Sequence, residues 1–201
     1  MTMTLYFAPK TIAVASALAL LEAGADFRLE TVDFAQAAQR SREFLAVNPK
    51  GRVPALQTPN GILTETSAIL EYAAPGLVPD DTWEAARMRE IMTYLATTMH
   101  VAHAHKMRGH RWAVSNSSWA DMRGKVAENM AESAAYLSSK ITGPFALGDV
   151  LSLADPYIYA VTSWLEGDGV PMADFPKIAA LRKEMEARPS FTAASRMGVF
   201  T

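Results

Sequence analysis

The stretch from Asn48 to Tyr72, NPKGRVPALQTPNGILTETSAILEY, constrains this chain more than any other. It carries three parts in a fixed order. Asn48-Pro49-Lys50-Gly51-Arg52 is a turn cluster that leads into Val53-Pro54 and the apolar pair Ala55-Leu56. Thr58-Pro59-Asn60-Gly61 is a second turn, and Asn-Gly between apolar runs is a strong hairpin signal. Ile62-Leu63 then reads as a return strand ending at Thr64-Glu65-Thr66-Ser67, where a helix opens through Ile69, Leu70 and Tyr72. The order is strand, tight turn, strand, polar helix start.

That last junction has chemical consequences. The first N–H groups of a helix lack internal partners and carry the positive end of its dipole, which suits a carboxylate. Thr66 and Ser67 add hydroxyls at the same place, and Glu65 adds an acceptor for an ammonium. A carboxylate site beside an ammonium site fits the free amino-acid end of a peptide-like ligand. Val53, restricted to extended backbone by the following proline, keeps its N–H and C=O available to such a ligand. The plainer alternative is that Thr64 or Thr66 caps the helix while Glu65 sits in solvent.

The same residues carry a family resemblance. Asn48-Pro49-Lys50-Gly51-Arg52-Val53-Pro54-Ala55-Leu56, followed by Leu63-Thr64-Glu65-Thr66-Ser67-Ala68-Ile69, resembles the glutathione-binding half of the cytosolic glutathione transferases, with N-P-x-G-x-V-P-x-L and then L-x-E-S-x-A-I. Thr66 replaces the usual serine and keeps the hydroxyl. The resemblance implies a cis Pro54, backbone pairing of Val53 with the cysteinyl unit of glutathione, and a γ-glutamyl end held by Glu65 and Thr66. It also implies the fold: an α/β, thioredoxin-like N-terminal domain followed by an all-α helical-bundle C-terminal domain, usually as a homodimer.

The rest of the chain is compatible with that plan. Its 201 residues are half hydrophobic with a formal charge of −2, which leaves no large basic field for nucleic acid. No apolar run reaches the ~18 residues of a membrane span, and the start, MTMTLYFAPK, lacks the pattern of a signal peptide. The expected compartment is therefore the cytoplasm. There is no cysteine, which excludes disulfides, thiolate metal sites and any mechanism using a protein thiol.

Thr4 to Ala8 reads as a strand, Thr11 to Gly24 as a buried alanine- and leucine-rich helix, and Phe27 to Phe34 as a second strand. Ala35 to Val47 reads as polar with a short helix. The resulting β-α-β-α-β-β-α order gives a domain over 1–75, and the segment 76–83 reads as a linker. An all-helical domain follows over 84–201, with stripes at Met88, Ile91, Met92, Leu95, Met99 and Ala102 and at Met122, Val126, Met130, Ala134 and Leu137. Ser152-Leu153-Ala154-Asp155 has the form of a capping box before an apolar helix, and the family carries the same signature there. Phe175 to Ala187 reads as a further amphipathic helix, and the stretch to Thr201 as partly loose.

A transferase of this kind must favour the thiolate of glutathione, through a hydroxyl donor or a positive charge aimed at sulfur. By the resemblance the donor lies after the first strand or at the start of the first helix. Tyr6 falls one position short of the family's catalytic tyrosine, Phe7 has no hydroxyl, and Ile12 stands where cysteine-type members carry their cysteine. Thr11 stands where serine-type members carry their serine and is the expected catalytic residue, with N-capping as its alternative duty. Lys10 would support the thiolate electrostatically. Arg52 would bind the glycyl carboxylate, with Lys50 as a weaker candidate.

His100, His103, His105 and His110 invite a metal reading, but no Asp or Glu lies among them and the H-E-x-x-H form is missing, so no metal is expected. His100 is similar in context to a histidine near the sulfur in beta-class bacterial members. Met99, His100, His103 and Met107 are accordingly the expected wall of a co-substrate pocket. The expected activity is conjugation of glutathione, as co-substrate, to a hydrophobic electrophile in a detoxification role. Two alternatives remain: a non-catalytic glutathione- or ligand-binding protein on the same fold, and a glutathione-dependent isomerase, whose serine-cysteine motif is missing around Thr11.

Overall fold

The computed structural model describes residues 2–201. Four strands form one sheet: β1 (Met3–Phe7), β2 (Phe27–Thr31), β3 (Ala55–Thr58) and β4 (Gly61–Thr64), in the order β2-β1-β3-β4. β1 and β2 run parallel, with Leu5 opposite Leu29, and are joined by the crossover helix α1 (Ala13–Glu22). A parallel pair requires such a crossover. β3 runs antiparallel to β1, and β3 and β4 form the expected hairpin, with Pro59 and Asn60 between the Thr58–Gly61 pair. The Thr58 hydroxyl fastens this turn, accepting from the Asn60 N–H and donating to the Gly61 carbonyl.

Between β2 and β3 lie a short 3₁₀ turn and helix α2 (Arg42–Val47), capped by the Ser41 hydroxyl. The Asn48–Arg52 turn is organised by the buried Asn48 side chain, which accepts from the Lys50 N–H and donates to the Arg52 carbonyl. Gly51 has φ +60, and a Cβ there would lie 2.9 Å from the Gln39 carbonyl oxygen, so this position requires glycine. After β4 comes α3 (Thr66–Ala73), which completes the thioredoxin-like half.

A 3₁₀ turn at Pro75–Leu77 leads to α4 (Thr82–Tyr94), capped by Asp81. α4 continues through a wide π turn, Leu95–Met99, into α5 (His100–Arg108). The stripe Met88, Ile91, Met92, Leu95, Met99 and Ala102 is buried as its spacing predicts. α6 (Asn116–Gly124) and α7 (Val126–Lys140) return alongside, followed by α8 (Ala154–Thr162), α9 (Pro176–Glu186) and α10 (Pro189–Arg196). Among the described residues no helix is long and apolar enough to cross a membrane.

Every residue of α8 is buried, and its start rests on the S-x-x-D sequence. Asp155 accepts from the Ser152 N–H and hydroxyl and, through its other oxygen, from the Ala146 N–H at 2.7 Å. The serine hydroxyl donates to the aspartate, so only the acidic arm of a capping box is formed. The last stretch corrects the sequence expectation. It forms α10 with Ala194 and Val199 fully buried, held by Arg188, whose guanidinium bonds the Glu22 carboxylate at 2.5 and 2.8 Å. Burial alone would raise the Glu22 carboxyl, but the hydrogen bonds and charge of Arg188 and the bond from Ser190 hold it below its usual range.

Asp155→Ala leaves two buried N–H groups without acceptors. We expect it to lower unfolding stability by about 2–4 kcal/mol in urea denaturation. A loss below about 1 kcal/mol would show that Asp155 does not anchor α8.

Candidate active site

Two adjoining cavities form one cleft between the sheet half and the helical half. The first, of about 170 Å³, is lined by Pro54, Glu65, Thr66, Ser67, Ala96 and Tyr157. The second, of about 180 Å³, is lined by Lys10, Thr11, Phe34, Met107 and Trp164, together with His103, Arg108 and Arg111. Ile12, Arg52, Val53 and His100 border both, so the cavities are continuous across the Val53-Pro54 peptide, which is cis. Val53 lies outside both strand ladders, which begin at Ala55.

At one end Glu65 has φ 70, a conformation that costs a non-glycine residue about 1–3 kcal/mol and is typical of functional sites. Thr66 and Ser67, whose N–H groups open α3 and so have no intrahelical acceptor, line this cavity. The Glu65 carboxylate already meets an ammonium, that of Lys50 at 2.5 Å, and Lys50 also donates to the Thr64 hydroxyl. Lys50 thus occupies the kind of partner site the sequence assigns to Glu65, and it does not line either cavity. Tyr157 closes this end from α8. Its phenol, pushed up to about 12 by burial, stays neutral and protonated beside Thr66.

At the other end Lys10, with φ 59, turns the chain into α1. Thr11 follows and borders the cleft. Its hydroxyl donates to the Ala8 carbonyl at 2.7 Å and accepts from the Ala13 N–H at 3.3 Å, so it serves the turn and must rotate to donate elsewhere. Tyr6 points its hydroxyl at Gln57 and lines neither cavity. Trp164 donates its indole N–H to the Lys10 carbonyl at 3.1 Å. Tyr157, in α8, and Trp164, just past its end, border opposite ends of the cleft.

The histidines divide among three tryptophans. His100 and His103 lie against Trp164, with ring centroids 5.0 and 4.2 Å away, while His105 meets Trp112 and His110 faces Trp119. Among the described residues no three potential metal ligands converge. His103 stacks on the indole, and its Nδ1 lies 2.6 Å from the buried Asp168 carboxylate, which also pairs with Lys106 at 3.1 Å. This leaves Nε2 as the unengaged nitrogen of His103. Burial, then the charges of His103, Arg108, Arg52 and Arg111, push His100 down to about 4, so it is neutral at neutral pH.

The structure therefore brings Lys10, Thr11, Arg52, Val53, Pro54, Glu65, Thr66, His100, His103 and Met107 to one cleft. Met99 is the exception. It is 0% exposed and belongs to the core stripe of its helix, one residue before His100 and turned inward. Its place in the apolar stripe was the signal that excluded it from the wall. Missed by sequence reading were Phe34, Tyr157, Trp164, Arg108, Arg111 and Asp168. Their local sequences read only as strand end, apolar helix or solvated charge, and tertiary contacts alone bring them to the site.

A mixed thioredoxin-like sheet followed by a helical bundle, with a cleft between them crossing a cis Val-Pro peptide, defines the glutathione transferase architecture. The models of the glutathione S-transferase N-terminal and C-terminal domains match residues 1–75 and 95–189. A glutathione S-transferase of Pseudomonas putida is 30% identical over 86% of this chain and 81% of its own length. A glutathione transferase homologue from Sulfitobacter, solved with bound glutathione, is 52% identical, with a TM-score of 0.96 over 98% of this chain and 99% of the other. The beta-class enzyme of Sphingomonas chungbukensis is 28% identical, with a TM-score of 0.82 over 98% and 99%. The chain belongs to the glutathione S-transferase family.

The low value for His100 has a consequence for stability. An unfolded histidine takes its proton near 6.5, so between that pH and about 4 the unfolded state holds more protons and stability falls as pH falls. Asp155, pushed up to about 6 by burial, slopes oppositely between about pH 4 and 6, and a comparison with His100→Gln cancels it. From pH 7 to 4.5 the variant should lose about 2 kcal/mol less stability than the wild type in urea denaturation. Equal losses would refute the burial argument for His100.

Proposed function

We propose that this protein is a glutathione transferase that binds reduced glutathione along the cleft and adds its thiolate to an electrophilic carbon. The observation that carries this reading is the continuity of the cleft from Glu65 and Thr66, across Val53-Pro54, to Lys10 and Thr11. The γ-glutamyl carboxylate would take the N–H groups and hydroxyls at Thr66 and Ser67, and its ammonium would meet Glu65, displacing Lys50. Val53 would pair its free backbone groups with the cysteinyl unit. Arg52 would take the glycyl carboxylate through charge-assisted hydrogen bonds.

The thiol would then face the start of α1. Thr11, rotated away from Ala8, would donate to the sulfur, and the Lys10 ammonium and the α1 N-terminus would favour the thiolate. Each unit by which the thiol is lowered corresponds to about 1.4 kcal/mol of preference for the charged form. The electrophile's apolar body would lie against Phe34, Met107 and Trp164. Met107, 75% exposed, borders this part of the cleft. We further read residues 1–75 and 84–201 as the two domains with 76–83 as the linker, the protein as cytoplasmic with a detoxification role, and the assembly as a homodimer. The exposed Ile62, Tyr72 and Trp83 support a second copy as partner.

One observation favours a non-catalytic glutathione-binding protein instead: the Thr11 hydroxyl is engaged by Ala8. The two readings separate in a paired experiment using calorimetric titration with reduced glutathione and turnover of a generic aryl halide. In a catalyst, Thr11→Ala should cut turnover about ten- to hundredfold while the glutathione Kd moves less than about threefold. Glu65→Ala should weaken glutathione binding about tenfold or more. Binding without turnover in the wild type would favour the binding protein, and absence of glutathione binding would refute both.

A further inference from the structure

The Thr11 end of the cleft carries more positive charge than glutathione can neutralise. Lys10, Arg52, Arg108 and Arg111 line one cavity of about 180 Å³, and no Asp or Glu lines it. Arg40 stands next to this group, with a guanidinium nitrogen 3.4 Å from where a Cβ on Gly51 would lie. None of these five side chains has a carboxylate partner among the described residues. Burial, and then the charges of the neighbouring arginines, lower Arg108 and push Arg111 down to about 10, the mark of guanidiniums crowded without a counter-ion.

Arg108 and Arg111 are held in place by a tight turn. Gly109 packs against Trp119 so closely that a Cβ would lie 3.1 Å from the indole ring, and the Trp119 indole N–H donates to the Ala113 carbonyl. Cations at a helix C-terminus commonly serve its free carbonyls, but here Arg123 does so, donating to the Lys106 carbonyl at 3.1 Å. Arg108 and Arg111 face the cleft instead.

At neutral pH glutathione brings two carboxylates. One belongs at the Thr66 helix start, in the other cavity, and the glycyl carboxylate and the thiolate come to this one. Two negative charges among four lining cations leave two guanidiniums without a partner. An uncompensated, partly buried charge is unfavourable, whereas a guanidinium pair recognises a carboxylate geometrically. Resting on the glutathione transferase reading above, we propose that the electrophile carries a carboxylate, bound by Arg108 and Arg111 while its apolar body lies against Phe34 and Met107.

The test uses conjugates, so it needs no turnover. Reduced glutathione, S-benzylglutathione and S-(para-carboxybenzyl)glutathione are titrated calorimetrically into the wild-type protein and into Arg108→Met and Arg111→Met. The carboxybenzyl conjugate should bind the wild type about tenfold or more tightly than the benzyl conjugate at low salt. That preference should shrink severalfold at about 0.5 M salt and fall toward unity in each variant, with the benzyl conjugate as internal reference for folding. A wild-type ratio of one or less, or a preference that both variants retain, overturns the proposal while leaving the glutathione reading intact. Failure of reduced glutathione itself to bind overturns that reading, and this inference with it.

Discussion

The structure depends on the burial of α1 from both sides. Its residues Ala13 to Leu20 are all buried, and alanine occupies every second position from 13 to 19. Such small side chains let α3 of the sheet half and α8 and α10 of the helical half approach the same helix closely. A helix without a polar face is stable only when covered all round, so neither half can complete its core without the other. Both ends are tied by long-range polar contacts, Trp164 to the Lys10 carbonyl and Arg188 to Glu22. The cleft exists because these contacts hold the start of α1 opposite α5 and α8 while leaving a gap above Val53.

Charge is distributed unevenly along that gap. The Glu65 end offers helix N–H groups, hydroxyls, one carboxylate and a neutral phenol, a balanced set for a zwitterionic amino-acid end. The opposite end is cationic throughout. His100 stands at the border of the two cavities; burial is the main cause of its low proton affinity, and the smaller contribution, from the charges of Arg108, Arg52 and Arg111, would favour a thiolate placed beside it. A neutral imidazole there can donate one hydrogen bond and accept another without adding to the crowd of charge.

How much of this was legible in the sequence follows from how far apart the cooperating residues lie. The hairpin, the helix start at Thr66 and the Asn48 turn involve partners within about five residues or one strand pairing, and all were readable. So was the buried stripe from Met88 to Ala102, which also shows why Met99 belongs to the core. Trp164 acts on Lys10, 154 positions away, and nothing local marks it for that role. Asp168 acts on His103 from 65 positions away. α10 read as loose because Pro189-Ser190 and a few alanines carry weak helical signals. Its stability comes from Glu22 and from the apolar surface of α1, which no local pattern reveals.

A chain without cysteine cannot share the chemistry with a protein thiol, so everything rests on how its field treats the sulfur of glutathione. Lowering a thiol by one pKa unit raises the thiolate fraction about tenfold below its pKa, but it costs about 0.4–0.5 log units of nucleophilicity. The net gain is therefore roughly threefold per unit and vanishes once the thiol is mostly ionised. A strong dedicated donor is not required under that law. On the proposed reading, a rotatable threonine hydroxyl with several cations at longer range would reach most of the available gain. Further acceleration has to come from holding the electrophile in line with the sulfur. Guanidiniums fixed by the Gly109 turn suit that second task, since their geometry persists whether or not the thiol has ionised.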